Sequence, residues 1–258
     1  MTLPTRSTRK DQICLLLKGI ETGDAAVVTV VNESKYIQHN PQTHEGSEGL
    51  AALFKRLSKT SPRVNIVRVF EDGDYVFAHT EYDFANSNIG FEIFRFEGDQ
   101  AVEHWDNIQR RSGPNPSNHS MVDGPTDITD INLTEVNREL VRSFVKDVLV
   151  NRQLEKLEDY ISNEHFTQHN PLIADGLIAL HRALAATTEK SHLIKYNRNH
   201  RILAEGDFVL SVSEGFYSGD HSAFFDLFRV SGNKLVEHWD TIEAIPPQAE
   251  WKNDNGKF

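Results

Sequence analysis

Tyr36-Ile37-Gln38-His39-Asn40-Pro41 returns 130 residues later as Phe166-Thr167-Gln168-His169-Asn170-Pro171. Further on, Glu103-His104-Trp105-Asp106 returns 134 residues later as Glu237-His238-Trp239-Asp240. Two uncommon tetrapeptides, in the same order and at nearly the same separation, mark an internal duplication. The period is far longer than a solenoid repeat, so each copy reads as a domain. Residues kept in both copies are candidates for fold or site. Residues kept in one copy mark divergence.

The boundaries follow from the repeat and from composition. Copy one covers 1–111 and copy two 131–245, each long enough to bury a core. Between them, 112–130 is rich in Pro, Gly, Ser, Asn and Asp, which suits a linker running outside the domains. Residues 246–258 form an irregular tail. The net charge of −11, without a basic run, argues against nucleic acid as a partner. The single cysteine, Cys14, cannot form an internal disulfide and sits in the apolar run Ile13–Leu17, where a buried, inert thiol is expected. That run is too short for a membrane span or a signal-peptide core, so no membrane partner and a cytoplasmic location are expected.

Each copy switches once from helical to strand pattern. In copy one the helices fall at about Thr8–Ile20, Asp24–Val31 and Ser47–Leu57, the last presenting Leu50, Leu53, Phe54 and Leu57 on one face. Strands follow near Val64–Phe70, Tyr75–Tyr82, Phe91–Phe96 and Ala101–Ile108. Copy two repeats the order, with helices from Thr134, near Leu154–Ile161 and near Gly176–Ala186. Its strands fall near Leu193–Leu203, Phe208–Phe216, Ser222–Val230 and Lys234–Ile242. The expected fold class is α+β: two tandem cone-shaped domains, each three helices packed on a curved antiparallel sheet. A curved sheet wrapped over helices leaves an open end, which is a small-molecule pocket. The two halves are expected to pair as an intramolecular pseudo-dimer, with a homodimer of such chains as the larger assembly.

The Gln-His-Asn-Pro stretch, the Gly-Asp-Tyr-Val and Gly-Asp-Phe-Val turns, Asp-Leu-Phe-Arg at Asp226–Arg229, and Glu-His-Trp-Asp together resemble the SnoaL-like group of the nuclear transport factor 2-like superfamily. The resemblance covers both copies, roughly 8–110 and 134–243. It implies the cone fold. Its functional implication is broad, because that superfamily includes polyketide cyclases, ketosteroid isomerases, epoxide hydrolases, dehydratases and non-catalytic modules.

Candidate chemistry rests on the last hairpin. With Gly232-Asn233 as its turn, Asp226 falls opposite Trp239, and by the same count Glu92 falls opposite Trp105. Residues opposite each other share a face. A carboxylate beside Trp and Phe (Phe94 in copy one, Phe228 in copy two) would have a raised pKa and suit general acid–base work. A one-residue slip would exchange the faces and bring in His104 with Asp106, and His238 with Asp240. His39 and His169, each followed by Asn40 or Asn170, are either structural caps or proton-transfer partners of the strand carboxylate. His79 faces Val212 in the repeat, so it would add an ionisable group to copy one alone. Catalytic candidates are thus Glu92, Asp226, His39, His169 and His79. Ligand-binding candidates are Trp105, Trp239, Asn40, Asn170, Phe94, Phe228, His104 and His238.

His39, His104 and Asp106 were weighed as a metal set, but no local ligand spacing supports it, and no metal or cofactor is expected. The sequence also lacks a phosphate-binding glycine loop, a dinucleotide fingerprint and a nucleophile elbow. The first functional expectation is a cofactor-independent enzyme moving a proton next to a carbonyl (isomerase, cyclase or aldol-type) in a small, mostly apolar substrate. The alternatives are a non-catalytic ligand-binding or interaction module, and a hydrolase or dehydratase with a carboxylate-activated water.

Overall fold

A computed structural model describes residues 7–84, 86–162, 165–189 and 191–258. The chain divides into unit one, residues 1–106 with 247–258, and unit two, residues 107–246. Each unit carries its own five-stranded sheet. The duplication is therefore realised as two separate α+β sheets, not one continuous sheet.

In unit one, α1 (Arg9–Thr22) starts at Thr8, whose side chain accepts from Asp11 N while Asp11 reaches back to Thr8 N. It buries Ile13, Leu16, Leu17 and Ile20 and stops at Gly23, in the left-handed region with φ 69°. Cys14 is half-buried, and burial raises its thiol pKa. A 3₁₀ turn, Ala25–Val30, is capped by Asp24. Then come β1 (Ile37–Gln38), α2 (Gly46–Leu57), β2 (Arg63–Asp72), β3 (Tyr75–Asp83), β4 (Ser87–Glu97) and β5 (Gln100–Arg110). The sheet order is β1-β5-β4-β3-β2.

Unit two repeats this plan. Its first helix, α3 (Thr134–Phe144), runs on into a π-helical turn, Val145–Val150. The helix buries Val141 and Phe144, and the turn buries Val145, Val148 and Leu149. Val136, near the start of the helix, is exposed. Next are α4 (Leu157–Tyr160), β6 (Thr167–Gln168), α5 (Leu177–Ala185), β7 (Ile194–Glu205), β8 (Phe208–Tyr217), β9 (Asp220–Ser231) and β10 (Lys234–Ala244), in the sheet order β6-β10-β9-β8-β7. The register of β7 against β8 shifts twice, between Tyr196 and Arg198 and between Asn199 and Arg201. That of β2 against β3 shifts once, between Ile66 and Arg68. Each extra residue bends its strand, which gives the curvature expected of a cone.

The strands β1 and β6 are absent from the sequence reading, where Gln-His-Asn-Pro marks only the end of a helical region. Each is two residues long and pairs in parallel with the last strand of its unit. Two residues carry no periodicity to read.

The segment 112–130 also departs from the expectation of an external linker. Asn115 and Met121 are buried in unit two. Asn115 Nδ2 donates to Gln168 O at 2.6 Å and Ile173 O at 2.9 Å. The tail does the same in unit one: Asn253 Nδ2 donates to Asn40 O at 2.7 Å and Thr43 O at 2.9 Å, and Lys252 N to Pro41 O at 2.8 Å. Asn-Pro breaks the regular backbone, leaving carbonyls that need donors. An asparagine from each strap supplies them. Among the described residues no helix is long and apolar enough to cross a membrane.

Asn253→Ala should therefore destabilise unit one by about 1–3 kcal/mol, the cost of orphaning buried acceptors. A drop of several degrees in the melting temperature, read by calorimetry, is the expected outcome. An unchanged melting profile would show that the strap merely rests on the unit.

Candidate functional site

The last hairpin of unit two turns as counted: Gly232 and Asn233 have φ 57° and 58°, and Ser231 pairs with Lys234. The register then shifts by one residue between Leu235 and Glu237. Beyond that bulge Asp226 pairs with Asp240, Leu227 with Trp239 and Phe228 with His238. The expected pairing of Asp226 with Trp239 is thus corrected, and the faces exchange because Val236 is the extra residue. Asp226, Phe228, His238 and Asp240 share one face. Trp239 lies on the other, where its Nε1 donates to Asp123 O at 2.9 Å.

On the inner face of unit two, Tyr196 OH donates to Asp226 Oδ1 at 3.0 Å, and His238 Nε2 lies 3.1 Å from the same oxygen. Gln168 Oε1 accepts backbone N–H groups from His169 and Asn170, which identifies it as the oxygen. His238 Nδ1, 3.0 Å away, must then donate to it, which leaves Nε2 turned to Asp226. Asn170 Nδ2 donates to Asp240 Oδ2 at 2.7 Å. Asp226 Oδ2 and Asp240 Oδ1 are buried and, among the described residues, accept no hydrogen bond. Burial pushes Asp240 up to about 6, with the neighbouring Asp226 charge adding to the effect and the nearby His238 and Asn170 opposing it. These groups line a narrow pocket whose free space, about 20 Å³, holds one water-sized group, otherwise walled by residues such as Phe144, Leu149, Leu180, Phe228 and Ile242.

Unit one builds the same constellation and closes it. Glu92 Oε1 accepts from Tyr82 OH at 2.5 Å, and Oε2 lies 2.6 Å from His104 Nε2. His104 Nδ1 donates to Gln38 Oε1 at 3.0 Å, an oxygen that also accepts Asn40 N. Asp106 Oδ2 accepts from Asn40 Nδ2 at 2.6 Å, and Oδ1 faces Lys257 Nζ at 3.5 Å. Every carboxylate oxygen here has a partner. Burial raises Glu92, while the hydrogen bond from His104 opposes the shift. Phe94 stacks on His104 at 4.4 Å, as Phe228 does on His238 at 4.7 Å.

Four expected pocket residues lie on the other face. In the parallel pairing of β1 with β5, Gln38 stands beside His104, so its neighbour His39 turns away. His39 Nδ1 donates to Gly256 O at 2.9 Å, its Nε2 meets Glu103 Oε1 at 2.9 Å, and its ring stacks on Trp105 at 4.7 Å. His169 repeats this with Ser120 O at 2.7 Å, Glu237 Oε1 at 2.9 Å and Trp239 at 4.7 Å. Arg95 and Arg229 hold the second oxygens of Glu103 and Glu237 at 2.6 and 2.8 Å. His79 also turns away from Glu92: it pairs with Phe91 while Glu92 pairs with Ala78. It stacks on Phe91 at 4.4 Å, with Arg68 Nη1 3.1 Å from its Nδ1.

Three donor atoms per unit, from Glu92, His104 and Asp106 and from Asp226, His238 and Asp240, lie within 4.8 Å of one another. They are metal-ligand types, and they differ from the His39, His104 and Asp106 set weighed from sequence. In each trio the imidazole Nε2 is already turned to a carboxylate oxygen of its own trio, an arrangement that holds a proton. The sequence reading missed Tyr82 and Tyr196, which burial keeps protonated and donating, and Gln38 and Gln168, which orient the histidines. The Gln repeat was visible in the duplicated motif. Lys257 gave no signal, standing 151 residues from its partner.

No protein-family model and no curated protein matches this chain. Many solved structures do. TsrD from Streptomyces laurentii is 19% identical, covering 42% of this chain and 92% of its own, at a TM-score of 0.37. An NTF2-like protein of unknown function from Cytophaga hutchinsonii is 15% identical, covering 42% and 95%, at a TM-score of 0.36. An LEH-like epoxide hydrolase of M. tuberculosis is 15% identical, covering 39% and 82%, at a TM-score of 0.34.

Because Asp240 goes from 3.8 in the unfolded chain to about 6 in the fold, the folded state favours its protonated form. That preference stabilises the fold below about pH 4 and is lost as pH rises through about 6. Asp240→Asn keeps the acceptor for Asn170 and removes the buried charge. Its stability relative to the native chain should therefore rise with pH, by on the order of 2–3 kcal/mol between about pH 4 and pH 7. Urea unfolding of both proteins across this range tests it. A constant difference would contradict the assignment.

Proposed function

We propose that unit two is a cofactor-independent acid–base catalyst acting on a small, mostly apolar carbonyl compound, and that unit one is its non-catalytic counterpart. The observation that carries this reading is the contrast between two copies of one constellation. Unit one satisfies all four carboxylate oxygens internally. Unit two leaves Asp226 Oδ2 and Asp240 Oδ1 buried at an apolar pocket without partners among the described residues. A buried acceptor left unmatched costs about 1–3 kcal/mol, which a substrate group would recover.

In this reading Asp226 Oδ2 takes a proton from the carbon next to the carbonyl. Tyr196 OH and His238 hold Oδ1 and so fix the carboxylate. The C–H electrons move toward the carbonyl oxygen, which accepts a hydrogen bond from the Asp240 carboxyl. A carboxylate held by two donors beside a carboxyl that keeps its proton to about pH 6 divides base and acid between two like residues. Returning the proton to another carbon gives isomerisation. Attack of that carbon on a second carbonyl gives cyclisation or aldol chemistry.

Once ligands are found by native mass spectrometry and tested for turnover, Asp226→Asn should lower kcat by about 10²- to 10⁴-fold with an unchanged melting temperature. Glu92→Gln should leave turnover near the native rate. Equal losses in both variants would assign the chemistry to both units. Full activity in the Asp226→Asn variant would reject the reading, and bound ligands without turnover would favour a binding module.

A further inference from the structure

The molecule contains its own example of what this constellation accepts. In unit one, the carboxylate that ends the Glu-His-Trp-Asp motif, Asp106, has Oδ2 on Asn40 and Oδ1 facing the ammonium of Lys257. Lys257 is itself buried, with 3% of its side chain exposed, so the ammonium is a fitted part of the site and not a surface charge. It follows Gly256, whose carbonyl accepts from His39. In unit two the equivalent carbonyl, on Ser120, accepts from His169, and the next residue is Met121. Methionine brings no charge. The equivalent carboxylate, Asp240, keeps Asn170 on Oδ2 and, among the described residues, has no donor on Oδ1.

Resting on the reading that unit two's pocket takes a small molecule, we propose that, once Asp240 is ionised, the pocket takes a protonated amine on an apolar frame, bound through Asp240 Oδ1 where unit one uses Lys257, and that this amine competes with a carbonyl compound for the same carboxylates. The surroundings agree. The described lining holds two carboxylates and a histidine but no lysine or arginine, and the rest is aliphatic or aromatic. An ammonium would donate to Asp240 Oδ1, with Asp226 Oδ2 on the same face as the second acceptor. Hydrogen bonds to ionised groups are about twice as strong as neutral ones. With one histidine serving two carboxylates, the pocket lacks the charge that Lys257 supplies in unit one, and a cationic ligand would supply it.

The titratable groups around Asp240 are His238 on its own strand, Asp226 on β9, Tyr196 on β7, and His169 beside β6. Burial raises Asp240 to about 6, so the amine should bind more tightly as pH rises from about 5 to 7.5, where the carboxylate is ionised and the amine still protonated.

The test compares benzylamine and cyclohexylamine with benzyl alcohol and cyclohexanol on the full chain, by calorimetry and native mass spectrometry. The amines should bind at one site per chain, at least tenfold more tightly than the alcohols, in line with a charge-assisted hydrogen bond of about 1.5–3 kcal/mol. Asp240→Asn, its folding checked by circular dichroism, should erase that preference, and Glu92→Gln should retain it. Alcohols or simple ketones binding as well as the amines would overturn the inference and leave the carbonyl reading intact. Binding of none of these probes would count against both. Amine binding that survives Asp240→Asn would place the cation elsewhere and overturn the proposal.

Discussion

The site depends on a pair of hydrogen bonds made by a strand only two residues long. Pairing of β6 beside β10 sets Gln168 opposite His238, and pairing of β1 beside β5 sets Gln38 opposite His104. Backbone N–H groups hold each glutamine oxygen as an acceptor. That oxygen fixes the proton on Nδ1 of the histidine and aims Nε2 at the carboxylate. The alternation of a parallel strand then sends the next residue, His39 or His169, to the opposite face. One short ladder thus sorts two histidines per unit, one to the inner face and one to the strap.

Duplication allowed the polar groups on those faces to be satisfied differently. The outer clusters of His, Glu, Arg and Trp are nearly superimposable in chemistry between the units, down to stacking distances of 4.7 Å. Both bind straps through backbone carbonyls, Gly256 O and Ser120 O, and in unit two the strap's Asp123 side chain also lies 2.8 Å from His169 Nδ1. The inner clusters diverge. Unit one exchanges Asp for the longer Glu92, whose two oxygens reach Tyr82 and His104 together. In unit two Asp226 spends Oδ1 on both donors and leaves Oδ2 over. The extra methylene of Glu92 and the ammonium of Lys257 together separate the closed network from the open one.

Much of this was legible in the sequence. The repeated motifs gave two domains, the single switch of period gave the helices and the long strands, and Asp226, Glu92, His104 and His238 all lie on the inner face. Face assignment failed because hairpin counting assumes an unbroken ladder. The turn at Gly232-Asn233 was read correctly, yet Val236 adds a residue that no composition signal announces. Trp239 therefore moved from pocket to outer face while His238 and Asp240 moved in, and in unit one Trp105 likewise lies against His39 while His104 and Asp106 face Glu92 and Asn40. His39 and His169 were ambiguous for a different reason: strands of two residues leave no pattern.

The straps were misread because polar, proline-rich composition describes backbone that avoids regular structure, not backbone that avoids burial. Asn115 and Asn253 are buried because they are polar: each turns an amide N–H₂ into two donors for carbonyls that a Pro-containing loop cannot pair. A segment held by irregular turns of its own and by hydrogen bonds to distant backbone leaves no local periodicity, so it reads as linker from sequence. The same holds for Lys257. A lysine in so polar a stretch as Lys252–Lys257 looks like a solvated charge. Only the path that Asn253 and Asn255 impose on the tail, through Asn40, Thr43 and Gln38, carries its ammonium to Asp106. The charge balance of an inner-face site is thereby set by a segment far away in sequence, and the residue at that strap position, lysine or methionine, decides whether the carboxylate is neutralised from within.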